Sequence, residues 1–233
     1  NIDFLDLTAI VKRQWVLDFC GKLLEQKINI TWQLPSGTRS EVIDQEVVEA
    51  LYKSGCRNIS YAPESGSPAM LQKIQKRVNL DNIVDSMKGA VDAGLVTNAN
   101  IILGLPGDTW KDVWLSYKLG LRLACLGLHS LALMIFAPYP GSNLFNMLRK
   151  EGKISYDDDY FYSAFLRTGK TTVSYNNFSP KTLIILQFIF LCSFWGIQYL
   201  LRPIRLVKTL MVFLTSGREE AIMDNFLRTK RFY

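Results

Sequence analysis

Short apolar runs alternate with longer stretches of helical period along residues 1–151, and the alternation predicts the elements. Ile2–Leu7 reads as a strand, and Ala9–Gln26 as an amphipathic helix with Val11, Trp15, Phe19 and Leu23 on one face. Asn29–Leu34 is the next strand, followed by a helix near Val42–Lys53 that Gly55 closes. Asn58–Ala62 is a third strand, and a helical stretch from Pro68 to Gly94 follows, broken near Val78. Thr97–Leu103 is a strand, Trp110–Cys125 a helix, Leu131–Phe136 a strand, and Leu144–Glu151 a helix. Strands alternating with helices of this length predict right-handed βαβ units and a parallel α/β sheet. An open doubly wound sheet and a curved barrel both satisfy the pattern. Either one gathers ligands at the carboxyl ends of its strands.

The chemistry-bearing residues fall on the loops at that edge: Asp6, Arg39, Glu64, an elbow after the fourth strand, and Pro138-Tyr-Pro-Gly after the fifth. The elbow is Asn98–Thr109, an apolar strand end broken at Gly104, Pro106 and Gly107 before Asp108 or Thr109 caps the next helix. Such a turn leaves backbone bare for a ligand, or is turn chemistry and nothing more. Glu64, in Tyr61–Ser67, could accept hydrogen bonds from a ribose diol or an amino group, or face the dipole of a following helix. Arg39 could pair a ligand carboxylate bidentately, or form a salt bridge with Glu41 or Asp44. His129, the one histidine, begins the last strand; it supports neither a zinc or non-haem iron site nor a Ser/His/Asp triad.

Three of these segments together carry a resemblance. Glu64-Ser65 after one strand, Asn98-x-Asn100-Ile-Ile-x-Gly-Leu-Pro-Gly-Asp-Thr at the next, and Pro138-Tyr-Pro-Gly-Ser142 at the last resemble the radical S-adenosylmethionine (SAM) enzymes. Their order and spacing are most similar to the branch that often carries a cobalamin-binding domain. The resemblance spans residues 1–154 and implies a partial (β/α)6 barrel lacking its first βα unit, with residues 155–233 as a mostly helical extension.

The same resemblance implies roles. Glu64 and Ser65 would meet the amino or ribose group of SAM, and Asn100, where relatives often have Asp, would lie near the ribose. Arg39 or Lys76 would be the cation near the SAM carboxylate, although Lys76 between Lys73 and Arg77 also reads as a solvated helix face. Backbone at Gly104, Leu105, Pro106 and Pro138 would pass close to the cofactor. It implies radical-based methyl transfer or rearrangement on a small or hydrophobic substrate, with cobalamin a further candidate cofactor. It also implies a [4Fe–4S] cluster on a Cys-x-x-x-Cys-x-x-Cys loop and an electron donor to reduce it. That loop does not occur here, so the cluster ligands are expected in sequence outside this chain. A binding or scaffold module that lost the cluster is the alternative.

Composition changes this picture in two places. Cys20, Cys56, Cys125 and Cys192 lie far apart in apolar or helical sequence, which reads as buried free thiols in a reducing, cytoplasmic setting. The net charge of +6 sits almost wholly in residues 181–233, so the main domain gives no reason to invoke nucleic acid. An acidic run, Asp157–Asp159, precedes the charge-free stretch Thr182–Leu201, which is long enough to cross a bilayer. Arg202, Arg205 and Lys208 would put its C-terminal flank in the cytoplasm and the barrel outside, which conflicts with an oxygen-sensitive cluster. The expectation is a helix that packs on the barrel, or lies in the membrane interface through 182–214 with those cations meeting lipid headgroups.

Overall fold

A computed structural model describes residues 2–5, 10, 12–155, 157, 158, 160, 161 and 177–215, with side chains as far as Met211. Asp6, Leu7, Ala9, Val11 and Asp159, named above, lie outside the described residues.

The alternation in Val96–Leu103 sets the two faces of the sheet. Thr97, Ala99, Ile101 and Leu103 are buried, whereas Asn98, Asn100 and Ile102 are only half-buried. A strand projects successive side chains to opposite faces, so one face packs under helices and the other lines a concave interior. The five strands are β1 (Ile2–Asp3), β2 (Trp32–Thr38), β3 (Cys56–Glu64), β4 (Val96–Leu103) and β5 (Ser130–Ile135). They pair in sequential order and all in parallel. A doubly wound sheet must reverse its strand order; this one does not, and it curls into a half-barrel.

The connections are α1 (Arg13–Glu25), α2 (Gln45–Lys53), α3 (Pro68–Lys73), α4 (Leu80–Asp92), α5 (Trp110–Leu126) and α6 (Asn143–Lys150). Side-chain caps define the starts: Asp44 accepts from Val47, Asn79 from Asp81 and Asn82, and Thr109 forms a capping box with Asp112. The expected break near Val78 is real, because α3 ends at Lys73 and α4 starts at Leu80. β2 extends four residues beyond the expected Leu34. Its ladder continues past Pro35, Ser36 and Gly37 to pair Thr38 with Tyr61, a backbone fact that an apolar pattern does not report.

Two further helices follow, α7 (Pro180–Leu201) and α8 (Pro203–Thr215). α7 packs on α5 and β5, burying Leu183, Phe190 and Phe194 in the same core as the strands. Its two glutamines face inward. Buried Gln187 donates to the Leu133 carbonyl at 2.6 Å, and Gln198 accepts from Arg205 at 3.0 Å. Ile185, Phe188, Ile189 and Leu200 face outward and are exposed. Arg202 and Arg205, weighed above as headgroup contacts, also reach protein carbonyls. Arg202 donates to the carbonyls of Ala124 (3.2 Å) and Cys125 (2.9 Å), and Arg205 to that of Gly127 (2.9 Å). The reason is electrostatic: the last carbonyls of α5 lack helical partners and carry the negative end of its dipole. The thiols divide as well. Cys20 and Cys56 are buried, with Cys56 pushed up to about 12 by burial, whereas Cys125 and Cys192 lie on outward helix faces and are exposed.

Candidate functional site

At the carboxyl edge, β3 ends in an irregular step: its register to β4 shifts between Tyr61 and Glu64. Glu64 itself holds φ at +64°, a left-handed conformation that costs a side-chain-bearing residue on the order of 1–2 kcal/mol. Its carboxylate accepts from Lys76 Nζ at 3.2 Å, with both side chains only partly exposed. The structure thus brings together two of the predicted residues, with the Lys76 ammonium against Glu64. Asn100 lies on the adjacent strand, one residue before the Ile101 that registers with Glu64, and on the concave face with Asn98. Asn98 in turn donates to Asn58 at 2.8 Å, which confirms that this face is polar.

The turn after Glu64 is built from small residues and sealed against α5. Ser65 and Ser67 are each 1% exposed. Gly66 N–H donates to Ser116 Oγ at 2.9 Å, Ser65 and Ser116 share a hydroxyl hydrogen bond at 3.2 Å, and Ser67 N–H donates to Ser65 Oγ at 3.1 Å. Ser67 Oγ donates to Asp112, whose other oxygen accepts from Thr109. Burial opposes ionisation of Asp112, yet these donors hold its carboxyl below the usual carboxylate range. Ser116 and Asp112 escaped the sequence reading; only the Thr109-x-x-Asp112 capping spacing pointed to either.

The elbow after β4 turns on its two glycines. Gly104 (φ +74°) and Gly107 (φ +80°) adopt left-handed conformations that favour glycine. A Cβ on Gly104 would lie 2.9 Å from the Leu183 side chain, and one on Gly107 would collide with Lys73 Nζ. Leu183 and Lys73 therefore occupy the space beside these two glycines. Thr109, not Asp108, caps α5. Asp108 is 3% exposed and folds back to accept from Leu105 N–H at 2.9 Å, with its carboxyl raised to about 6 by burial and the nearby Asp112 charge. Pro106 sits half-buried between them.

Arg39 follows β2 and is exposed. The salt bridge weighed for it with Asp44 does not form, because Arg13 Nε donates to Asp44 at 2.6 Å. Pro138, after β5, is buried, and its carbonyl accepts from Tyr160 Oη. His129 lies at the opposite, amino end of the sheet, between Thr97 and Arg205, where burial and then the Arg205 and Arg202 charges lower it to about 4.

The donor set does not fit an iron–sulfur cluster. Among the described residues no three His, Cys, Asp or Glu side chains come together, and none of the four cysteines stands at the carboxyl edge. Glu64, Lys76 and Asn100 supply an acceptor, a cation and an amide on neighbouring strands and their loop.

Comparison with known proteins agrees with this fold. A family model described as the radical SAM superfamily matches residues 3–120. An uncharacterised methyltransferase of Pyrococcus horikoshii is 27% identical over 144 residues, 62% of this chain and 30% of that protein. The anaerobic magnesium-protoporphyrin IX monomethyl ester cyclase of Rubrivivax gelatinosus is 22% identical over 143 residues, 61% of this chain and 25% of the cyclase. This chain therefore spans less than a third of either relative. Among solved structures, coproporphyrinogen III oxidase of Escherichia coli superimposes with a TM-score of 0.50 over 78% of this chain and 37% of the oxidase, at 16% identity, a likeness of fold.

Proposed function

This chain belongs to the radical SAM superfamily, and from that premise we propose that its carboxyl edge binds S-adenosylmethionine. The observation that carries the reading is Glu64, held in a left-handed conformation at the rim with its carboxylate against Lys76. Strain of this kind persists where the surrounding structure enforces it and is concentrated at ligand sites. Glu64 orients the ribose or the amino group of SAM. Lys76 turns its ammonium from Glu64 to the SAM carboxylate, or shares it between the two. Asn100 contributes its amide near the ribose, and the outer side of the Gly104–Pro106 turn and Pro138 flank the cofactor. Arg39 reaches the same rim from β2.

The cluster that initiates radical chemistry in this superfamily would be held by residues outside this sequence, which has no Cys-x-x-x-Cys-x-x-Cys run. Radical-based methyl transfer or rearrangement is the activity proposed for the whole protein. The methyltransferase among its relatives supports transfer. Cobalamin use rests on the likeness of the three rim motifs to the cobalamin-associated branch. A cytoplasmic setting with an electron donor as partner follows from the same reading. Peripheral membrane contact draws on the outward apolar residues of α7 and α8, from Ile185 to Met211, and favours a hydrophobic substrate.

Isothermal titration of the full-length protein with SAM under anaerobic conditions tests the reading. Saturable binding that weakens in Glu64→Gln supports it, and absence of binding by the unmodified protein overturns it. A second reading, a SAM-binding scaffold without a cluster, draws on the donor set described above. Iron and sulfide analysis separates the two, because a scaffold binds SAM and retains no iron.

A further inference from the structure

We propose that Ser116 and Asp112 of α5 are positioning residues that hold Glu64 in its ligand-binding conformation, an inference that rests on the SAM reading of that residue. The helix immediately following β3, α3, is six residues long and is capped by Ser67. The restraint comes from α5, fifty residues further along the chain. Ser116 Oγ accepts the Gly66 N–H and shares a hydrogen bond with Ser65 Oγ, so one hydroxyl fixes two consecutive residues after Glu64. Asp112 takes the Ser67 hydroxyl with one oxygen and the Thr109 cap with the other. Ser67 N–H and Ser65 N–H are satisfied within the turn, by Ser65 Oγ and the Pro63 carbonyl.

Steric contact completes the clamp. A Cβ on Gly66 would lie 2.4 Å from the Leu115 carbonyl oxygen and 2.7 Å from Ser116 Cα, so the turn is butted against the α5 backbone with no slack. Three residues in register with a rigid helix leave Glu64 a single way to join β3 to the turn, and that way requires positive φ. Without the clamp, the residue relaxes toward ordinary extended backbone and its carboxylate swings off the rim. α5 also carries the Asp108–Thr109 end of the elbow at its N-terminus, so one helix sets both the Glu64 wall and the Gly104–Pro106 wall. Ser116 and Asp112 touch no ligand themselves; they act through the turn.

The experiment is a double-mutant cycle on SAM affinity, measured by titration calorimetry on the full-length protein well below its Tm. Ser116→Ala is expected to raise the SAM Kd about tenfold when Glu64 is present, and less than about twofold in a Glu64→Gln background. A residue that merely stabilises the fold lowers Tm and leaves the coupling at zero. Ser67→Ala, which cuts the link to Asp112 without altering α5, is the second variant should Ser116→Ala fail to fold, and it is expected to show the same coupling to Glu64. Normal affinity in both single variants, together with loss in Glu64→Gln, overturns the positioning role and leaves the SAM reading standing. Absence of SAM binding by the unmodified protein removes both.

Discussion

Glu64 Oε1 stands 3.2 Å from Lys76 Nζ, with the whole of α3 looped out between them. The pair closes the β3–α4 connection over the rim, and Glu64 holds φ at +64° within it. Local backbone preference and the site therefore oppose each other at this residue, which makes the trade-off measurable.

Glu64→Gly is expected to be at least as stable as the unmodified protein while losing SAM affinity. Glycine relieves roughly 1 kcal/mol of left-handed strain, and a partly exposed ion pair contributes only ~0–1 kcal/mol in return. Thermal unfolding followed by circular dichroism checks the first half, and a fall in Tm of several degrees contradicts it.

Two glycines should respond oppositely to alanine. Gly66→Ala forces its methyl into the α5 backbone and is expected to cost ~3 kcal/mol or more, roughly 6–12 °C in Tm. Gly21→Ala, in mid-helix α1 with no atom within 4 Å of the new Cβ, is expected to add ~0.5–1 kcal/mol. Equal Tm values for the two variants would show that the turn is not held against α5.

The acid limb of stability should carry two opposed components. Asp108 titrates at about 6 in the folded chain and at ~4 when unfolded, so the folded state holds more protons in between. Its contribution therefore declines as pH rises from 4 to 6. His129 titrates at about 4 in the folded chain and at ~6.5 when unfolded, so its contribution is full above 6.5 and is lost as pH falls. Tm profiled from pH 4 to 7 is expected to steepen in Asp108→Asn and to flatten in His129→Gln. Superimposable profiles for all three proteins would refute both assignments.

The two sides of α7 should separate cleanly. Phe194, fully buried against the barrel, is expected to cost ~3–5 kcal/mol when truncated to alanine. Phe188, 55% exposed, is expected to leave stability of the detergent-free protein within ~0.5 kcal/mol when changed to serine. Denaturant unfolding measures both, and a large loss at Phe188 with none at Phe194 reverses the orientation assigned to this helix. Added liposomes with and without anionic lipid test the outward side, where recovery wholly in the soluble fraction at low salt counts against membrane contact.

Much of this fold is legible in the residues themselves. The apolar runs at Ile101–Leu103 and Leu131–Leu133, the cap at Thr109 and the glycine stop at Gly55 each act over a few residues, so their positions follow from local spacing. For the same reason, the placement of Glu64, Asn100 and the elbow at one sheet edge follows from parallel alternation alone. Tertiary structure decided the rest. Sequential strand pairing selected the half-barrel over the open sheet, because both topologies share one pattern of elements. The Ser116 and Asp112 clamp joins residues about fifty apart, and no local spacing encodes which helix will back a turn. Leu183 filling the space beside Gly104, and Arg202 and Arg205 turning to the end of α5, likewise depend on where α7 docks. Periodicity reports which side chains must leave water, and only packing reports which partner receives them.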